Sequence, residues 1–153
     1  MIWAGIVGDE LVGPVRVPQG VKLTSATYYQ FLKNVLEEWL EEVPLSRLKK
    51  VVFMHDNAPC HGAKATIKCI QGLGFKDETL MVWPPNSPDI NPIENLWAII
   101  KQRVYADGKQ FSMIHELWKA IKLESATIPR SLVKKLTDSV NDRLFDVIRC
   151  QGG

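Results

Sequence analysis

The 153 residues are enough for one domain with a core of its own, and 46% hydrophobic against 24% charged residues is the balance of a globular, water-facing chain. No apolar run nears the roughly 18 residues of a membrane span and no signal peptide opens the chain, so membrane and secretory roles are not expected. Cys60, Cys69 and Cys150 are an odd number at no zinc-like spacing, which predicts a reduced, intracellular protein. The net charge of +2 is uneven: residues 1–47 hold four Lys/Arg and six Asp/Glu, residues 48–153 fifteen and eleven. A mildly basic C-terminal part is compatible with a polyanionic partner.

Ile2–Val7 and Leu11–Val17 are apolar runs across Gly8-Asp9, the pattern of a hairpin, and Pro14 places the second strand at an edge. Thr24 or Ser25 can cap the helix that follows. Its apolar positions Tyr28, Phe31, Leu32, Val35, Leu36, Trp39, Leu40 and Val43 recur at three- and four-residue steps up to Pro44, with Glu37, Glu38, Glu41 and Glu42 on or near the solvated side. Val51–Met54 is continuously apolar, as expected of a strand buried on both faces. A helix over Ala63–Leu73 with Ala65, Ile67, Ile70 and Leu73 apolar ends at Gly72 and Gly74, and Thr79–Trp83 reads as a second buried strand. Pro84, Pro85, Pro88 and Pro92 make the next segment a stiff loop. Pro92 or Ile93 then opens a helix with Leu96, Trp97, Ile100 and Val104 inward. Three further helices are expected, one capped by Ser112, one beginning at Pro129 and a last one capped by Ser139. Strands first, then strand and helix in alternation, then helices alone, make a mixed α/β architecture in a single domain.

Two acids bracket the central stretch, Asp56 just past the first buried strand and Glu94 at the start of the helix after the stiff loop. The 37 residues between them hold a helix, a strand and a rigid loop, the content needed to leave one strand end and return beside it. Carboxylates at the rim of a sheet suit Mg²⁺-like cations, which take oxygen ligands and keep positions open for substrate phosphates. A pair of such ions, about 3.5–4 Å apart, promotes phosphoryl displacement. From spacing alone, two solvated surface acids remain the alternative. His55, Cys60 and His61 fit no common zinc pattern, and a place at the rim shaping the Asp56 loop is the better reading. No serine or cysteine sits in a nucleophile elbow or beside a patterned histidine, which excludes acyl transfer.

The motifs Asp56-Asn57-Ala58-Pro59-Cys60-His61 and Trp83-Pro84-Pro85-Asn86-Ser87-Pro88-Asp89-Ile90-Asn91-Pro92-Ile93-Glu94-Asn95-Leu96-Trp97 closely resemble those of the catalytic domain of Tc/mariner transposases. These belong to the DDE transposase and retroviral integrase superfamily. The resemblance runs through nearly all of the chain. It implies an RNase H-like mixed sheet flanked by helices and cut-and-paste DNA transposition, in which DNA is cleaved hydrolytically and a 3′ hydroxyl then attacks target DNA during integration. It makes Asp56 the second and Glu94 the third acid of a triad that binds Mg²⁺ or Mn²⁺ in a two-metal site. Asn57 and Asn91 would orient those acids, and Asp89 would cap the loop or the helix at Pro92. Lys64, Lys68, Lys101 and Arg103 could meet DNA phosphates, with solvated charge as the alternative for each. Trp83 and Trp97 read as core. The implied partners are transposon ends and target DNA, with a homodimer in the full-length protein and the nucleus as the place of action.

The match departs from the family in one respect. The first acid belongs to the first, central strand of this fold, and Met1–Gly8 resembles the second. Asp9 and Glu10 lie in the hairpin turn and are not nominated. The chain is therefore expected to lack the first strand, its Asp and the helix-turn-helix modules that bind transposon ends, and to be catalytically incomplete. The alternative is a non-catalytic relic of a transposase, serving as a nucleic-acid- or protein-binding module.

Overall fold

The computed structural model describes residues 1–44, 46, 51–56, 58–81, 83, 84 and 87–151. The chain forms two compact units, one of Met1–Arg16 with Pro88–Gly153 and one of Val17–Ser87. Each is taken by itself.

The first unit opens with the expected hairpin. Strands β1 (Ile2–Val7) and β2 (Glu10–Arg16) pair antiparallel across Gly8-Asp9, with Val7 opposite Glu10 and a bulge between Trp3 and Gly5. Gly8 has φ 65°, a conformation that glycine adopts without a Cβ clash. Against the hairpin pack α3 (Pro92–Val104), α4 (Ile114–Ala126) and α5 (Arg130–Asp138), followed by α6 (Val140–Arg149). The core runs along one face of α3. Leu96, Ile100 and Val104, at successive four-residue steps, are buried against Ile6 and Leu11 of the hairpin, Leu117 and Ile121 of α4, and Leu136 of α5. Arg130 on α5 meets Glu10 at 2.8 Å, and the Thr137 hydroxyl donates to the Gly8 carbonyl at 2.8 Å.

Two expected caps are not made. Ser112 does not start α4; Met113 is the capping residue and its N–H donates to the Glu116 carboxylate at 3.3 Å. Ser139 holds the N-cap position of α6 but turns its hydroxyl back to donate to the Leu136 carbonyl at 2.9 Å, because α5 ends on the same residue. Serine hydroxyls choose between nearby backbone partners, and here the preceding turn wins.

The second unit is built on α1 (Ser25–Glu42) and α2 (Lys64–Gly72), which pack on each other. Thr24 caps α1 as expected, accepting from the Thr27 N–H at 3.3 Å. The face of α1 that is fully inward is narrower than the periodicity suggested, Tyr28, Leu32 and Leu36. On α2 the buried set is Thr66, Cys69 and Ile70; of the expected apolar positions Ile70 is buried, Ile67 and Leu73 are half-buried and Ala65 is exposed. Thr66 tolerates complete burial because its hydroxyl donates to the Cys60 carbonyl at 2.7 Å. Past α2, Gly74 (φ 100°) donates to Gln71 O and Phe75 to Ile70 O, a left-handed stop to the helix that folds the Phe75 ring into the core.

Among the described residues, which leave out Val82, the two expected buried strands reduce to one parallel bridge between Phe53 and Leu80, with Phe53 N–H donating to Thr79 O at 2.8 Å and Met81 N–H to Phe53 O at 2.9 Å. Asp77–Thr79 is a 3₁₀ turn where the start of the second strand was expected. Val52 is 47% and Met81 45% exposed, so neither segment is buried on both faces. A segment with a single paired neighbour leaves its other edge and outer side chains to water.

Candidate active site

Asp56 lies two residues beyond Met54, past the bridge, in the second unit. Its side chain is 49% exposed. The Oδ1 atom accepts the Ala58 N–H at 3.0 Å, a tight local turn, and also contacts Nδ1 of His61. Both contacts fall on Oδ1, and Oδ2 carries no hydrogen bond among the described residues. The loop that bears these groups is fixed from within. His61 and Gly62 N–H donate to Ala58 O at 2.8 and 3.1 Å, and the buried Thr66 hydroxyl holds Cys60 O.

Four aromatic rings, those of His61, Tyr28, His55 and Phe53, are linked in contact beside the carboxylate. The His61 ring lies 4.3 Å from that of Tyr28 on α1 and 5.2 Å from that of His55, the two imidazoles nearly parallel at 9°. Phe53 meets His55 edge-on. Burial pushes the His55 imidazole down to about 4; the neighbouring His61 lowers it further and Asp56 opposes. His55 is therefore neutral at pH 7, and its buried Nδ1 has no hydrogen-bond partner among the described residues.

Glu94 lies in the first unit. It is the third residue of α3, whose start is set by two local devices. Asn91 accepts the Ile93 N–H on its side-chain oxygen at 3.3 Å, and Pro92 fills the first helical position. Glu94 is exposed and its carboxylate makes no hydrogen bond or ion pair among the described residues. It shares the first turn with the free N–H groups of α3, where negative charge is favoured. The loop before it is fastened from the far end of the chain. Arg143 on α6 donates to Asp89 O at 2.8 Å, Leu136 O at 2.9 Å, Ser139 O at 3.3 Å and Ser139 Oγ at 3.1 Å. Asn95 donates to Asp89 O and Asn91 O.

The other candidates are placed as follows. Asn91 is buried and caps α3; Asp89 takes part through its backbone carbonyl, with its side chain exposed. Asn57 lies outside the described residues. Lys64 and Lys68 are exposed on α2 and Lys101 on α3, while Arg103 donates to Thr127 at 3.3 Å. Trp83 is buried and Trp97 packs against the α3 core. Among the described residues no three His, Cys, Asp or Glu side chains gather into a metal-holding cluster. His61 and Arg143 acquire their partners only in the fold. His61 was expected at the rim shaping the Asp56 loop, and the fold adds its contact with Asp56 Oδ1 and its ring contact with Tyr28; nothing in the sequence around Arg143 points to Asp89.

Residues 19–118, which include both acids and both motifs, match the family model described as DDE superfamily endonuclease. The chain belongs to this family, in its Tc/mariner branch. Similar proteins include the Tc3 transposase of Caenorhabditis elegans, 37% identical over 131 residues that make up 86% of this chain and 38% of that protein. The Tc1 transposase of the same organism is 31% identical over 159 residues, 99% of this chain and 52% of that protein. The chain thus spans about half or less of the length of these relatives. Among solved structures, the Mos1 transposase catalytic domain with Raltegravir and Mg superposes with a TM-score of 0.85 at 19% identity, covering 99% of this chain and 75% of that one. The Mos1 strand transfer complex gives 0.80 at 20% identity, covering 95% and 41%. The fold is the RNase H-like mixed α/β arrangement that the two motifs imply.

Proposed function

We propose that this chain is catalytic-domain material of a cut-and-paste DNA transposase, and that Asp56 and Glu94 each supply a carboxylate to divalent cations, Mg²⁺ or Mn²⁺. The observation that carries the reading is the family match over residues 19–118, which takes in both acids within their motifs. The donor chemistry fits. Both groups are exposed carboxylates, one with Oδ2 unengaged and the other without a partner among the described residues, and hard cations of this kind take oxygen ligands. When bound, such ions activate a water or a hydroxyl and stabilise the leaving oxygen of a phosphodiester. The chain's own contribution is to hold the acids on short, fastened segments: Asp56 by the Ala58 and His61 contacts, Glu94 by the α3 cap and the Arg143 clasp. Solved Mos1 relatives carry Mg or Mn and include a strand transfer complex and a paired-end complex, which supports metal use and DNA as the partner. Lys64, Lys68 and Lys101 are exposed cations suited to phosphates. On this reading a longer protein carrying the domain works as a homodimer in the nucleus.

Mn²⁺ titration of the 153-residue chain, followed by the loss of the free-ion paramagnetic resonance signal, tests the assignment. Binding is expected to weaken at least about tenfold in both Asp56→Ala and Glu94→Ala. Binding unchanged in both variants would overturn it. Nicking of plasmid DNA by the chain alone, lost in the same two variants, would show that these two acids suffice and overturn the expectation that a third is needed.

A further inference from the structure

We infer that His61 is the residue that positions Asp56, holding Oδ1 through Nδ1–H so that Oδ2 is the oxygen presented to a divalent cation. The inference rests on the reading of Asp56 as a metal ligand. An aspartate just past a strand end, half in water, turns freely about two side-chain bonds. The Ala58 N–H removes part of that freedom, but a single donor leaves the carboxylate able to rotate about the hydrogen bond. The contact from His61 to the same oxygen is a second attachment: it holds Oδ1 in place between two donors, and with Cβ held by the backbone this sets both side-chain torsions. An ionised carboxylate only accepts, so the proton of this bond resides on Nδ1 of His61.

The imidazole is itself held. Tyr28, buried on α1, covers one part of the ring at 4.3 Å, and His55 stacks on it at 5.2 Å and 9°. Its backbone is tied to Ala58 O, and its loop to Thr66 on α2. The side chain is only 20% exposed, against 49% for Asp56. A group fixed by helix, ring stack and loop is thus bonded to a group that would otherwise be loose. A fixed histidine beside a ligating carboxylate is an arrangement that tunes metal affinity from outside the ligand set.

Two substitutions separate positioning from packing. His61→Phe keeps a ring between Tyr28 and His55 and removes the donor. His61→Asn sacrifices the stacking but places an amide N–H near the position of Nδ1. Mn²⁺ titration of the 153-residue chain is expected to show affinity weakened about 10–100-fold in His61→Phe and largely retained in His61→Asn, the reverse of their order in thermal stability. In the wild type, nitrogen-15 spectra are expected to show a protected His61 Nδ1–H resonance that disappears in Asp56→Ala, a readout needing no metal. Equal Mn²⁺ affinity in wild type and His61→Phe, alongside lost binding in Asp56→Ala, would overturn the positioning role alone. An unprotected Nδ1–H in the wild type would do the same if neither His61 variant folds. No loss of binding in Asp56→Ala would instead overturn the metal reading on which the inference stands.

Discussion

The two acids are held by different physics. Glu94 rides on α3, the most heavily packed element of its unit, whose Leu96, Ile100 and Val104 are sealed by a hairpin and two helices. Asp56 follows a segment with a single β-bridge, and the loop behind it is pinned by individual polar contacts and a stack of rings. Apolar packing is non-directional and tolerant. Polar pins are few and directional, so each matters singly. The Glu94 region should therefore fail through lost volume, and the Asp56 region through lost hydrogen bonds.

The largest effect is expected from Leu96→Ala. Leu96 has no exposed surface and belongs to the α3 cluster, around which neighbours from four elements limit collapse into a void. A loss of about 4 kcal/mol is expected by urea denaturation, within the range for buried leucines. Hydrogen exchange should accelerate in α3, α4 and α5. A loss below about 1 kcal/mol would break the claim that this unit rests on packing. The counterpart in the other unit is Thr66→Val, nearly isosteric and more apolar. On a packing account it is neutral. Here it strips the Cys60 carbonyl of its donor in a part-buried place, and a loss of about 2 kcal/mol is expected. It should also loosen the loop bearing His61. A neutral or stabilising outcome would remove the distinction between the units.

What could be read from the sequence follows the same division. The start of α3 was legible because Pro92 in the first turn and apolar residues at helical spacing are local signals, although the capping residue is Asn91 and not Asp89, which was expected to cap the loop or this helix. The hairpin was legible from Gly8-Asp9 between apolar runs. The burial of Val51–Met54 and Thr79–Trp83 as strands was overestimated, because a continuous apolar run says that a segment wants burial and not that neighbours on both sides provide it. The α4 cap falls on Met113 one residue past the expected Ser112, and Ser139 caps α6 in position but not with its hydroxyl, because a serine cannot disclose which of several backbone groups it will choose. Both acids were found through their motifs, and His61 was expected to shape the Asp56 loop, but the Arg143 clasp and the ring of Tyr28 behind His61 were not foreseen. Arg143 reaches Asp89 across 54 positions, and His61 meets Tyr28 only because α1 folds onto the loop. Such contacts are properties of the tertiary structure, and no local pattern announces them.

The smallest expected effect is a pH dependence confined to the Asp56 region of the metal-free chain. Burial holds His55 at about 4 in the folded state, against 6.5 for the free side chain. As pH falls, the unfolded chain therefore takes up this proton first. The stability present above pH 6.5 is lost between 6.5 and about 4, and the loss levels off below that. A gap of this size corresponds to at most about 3 kcal/mol, and solvent reaching the edge of the ring reduces it to about 1–2 kcal/mol. Carboxylates titrate over the lower part of the same window, so the comparison that isolates His55 is with His55→Phe, which keeps the edge-on contact with Phe53 and has no proton to bind. Urea denaturation at pH 7.5 and at pH 4.5 should show the wild type losing more stability than the variant. Equal losses would mean that the imidazole is not desolvated, and that the rings behind Asp56 form a wetter and looser support than the packed face beneath Glu94.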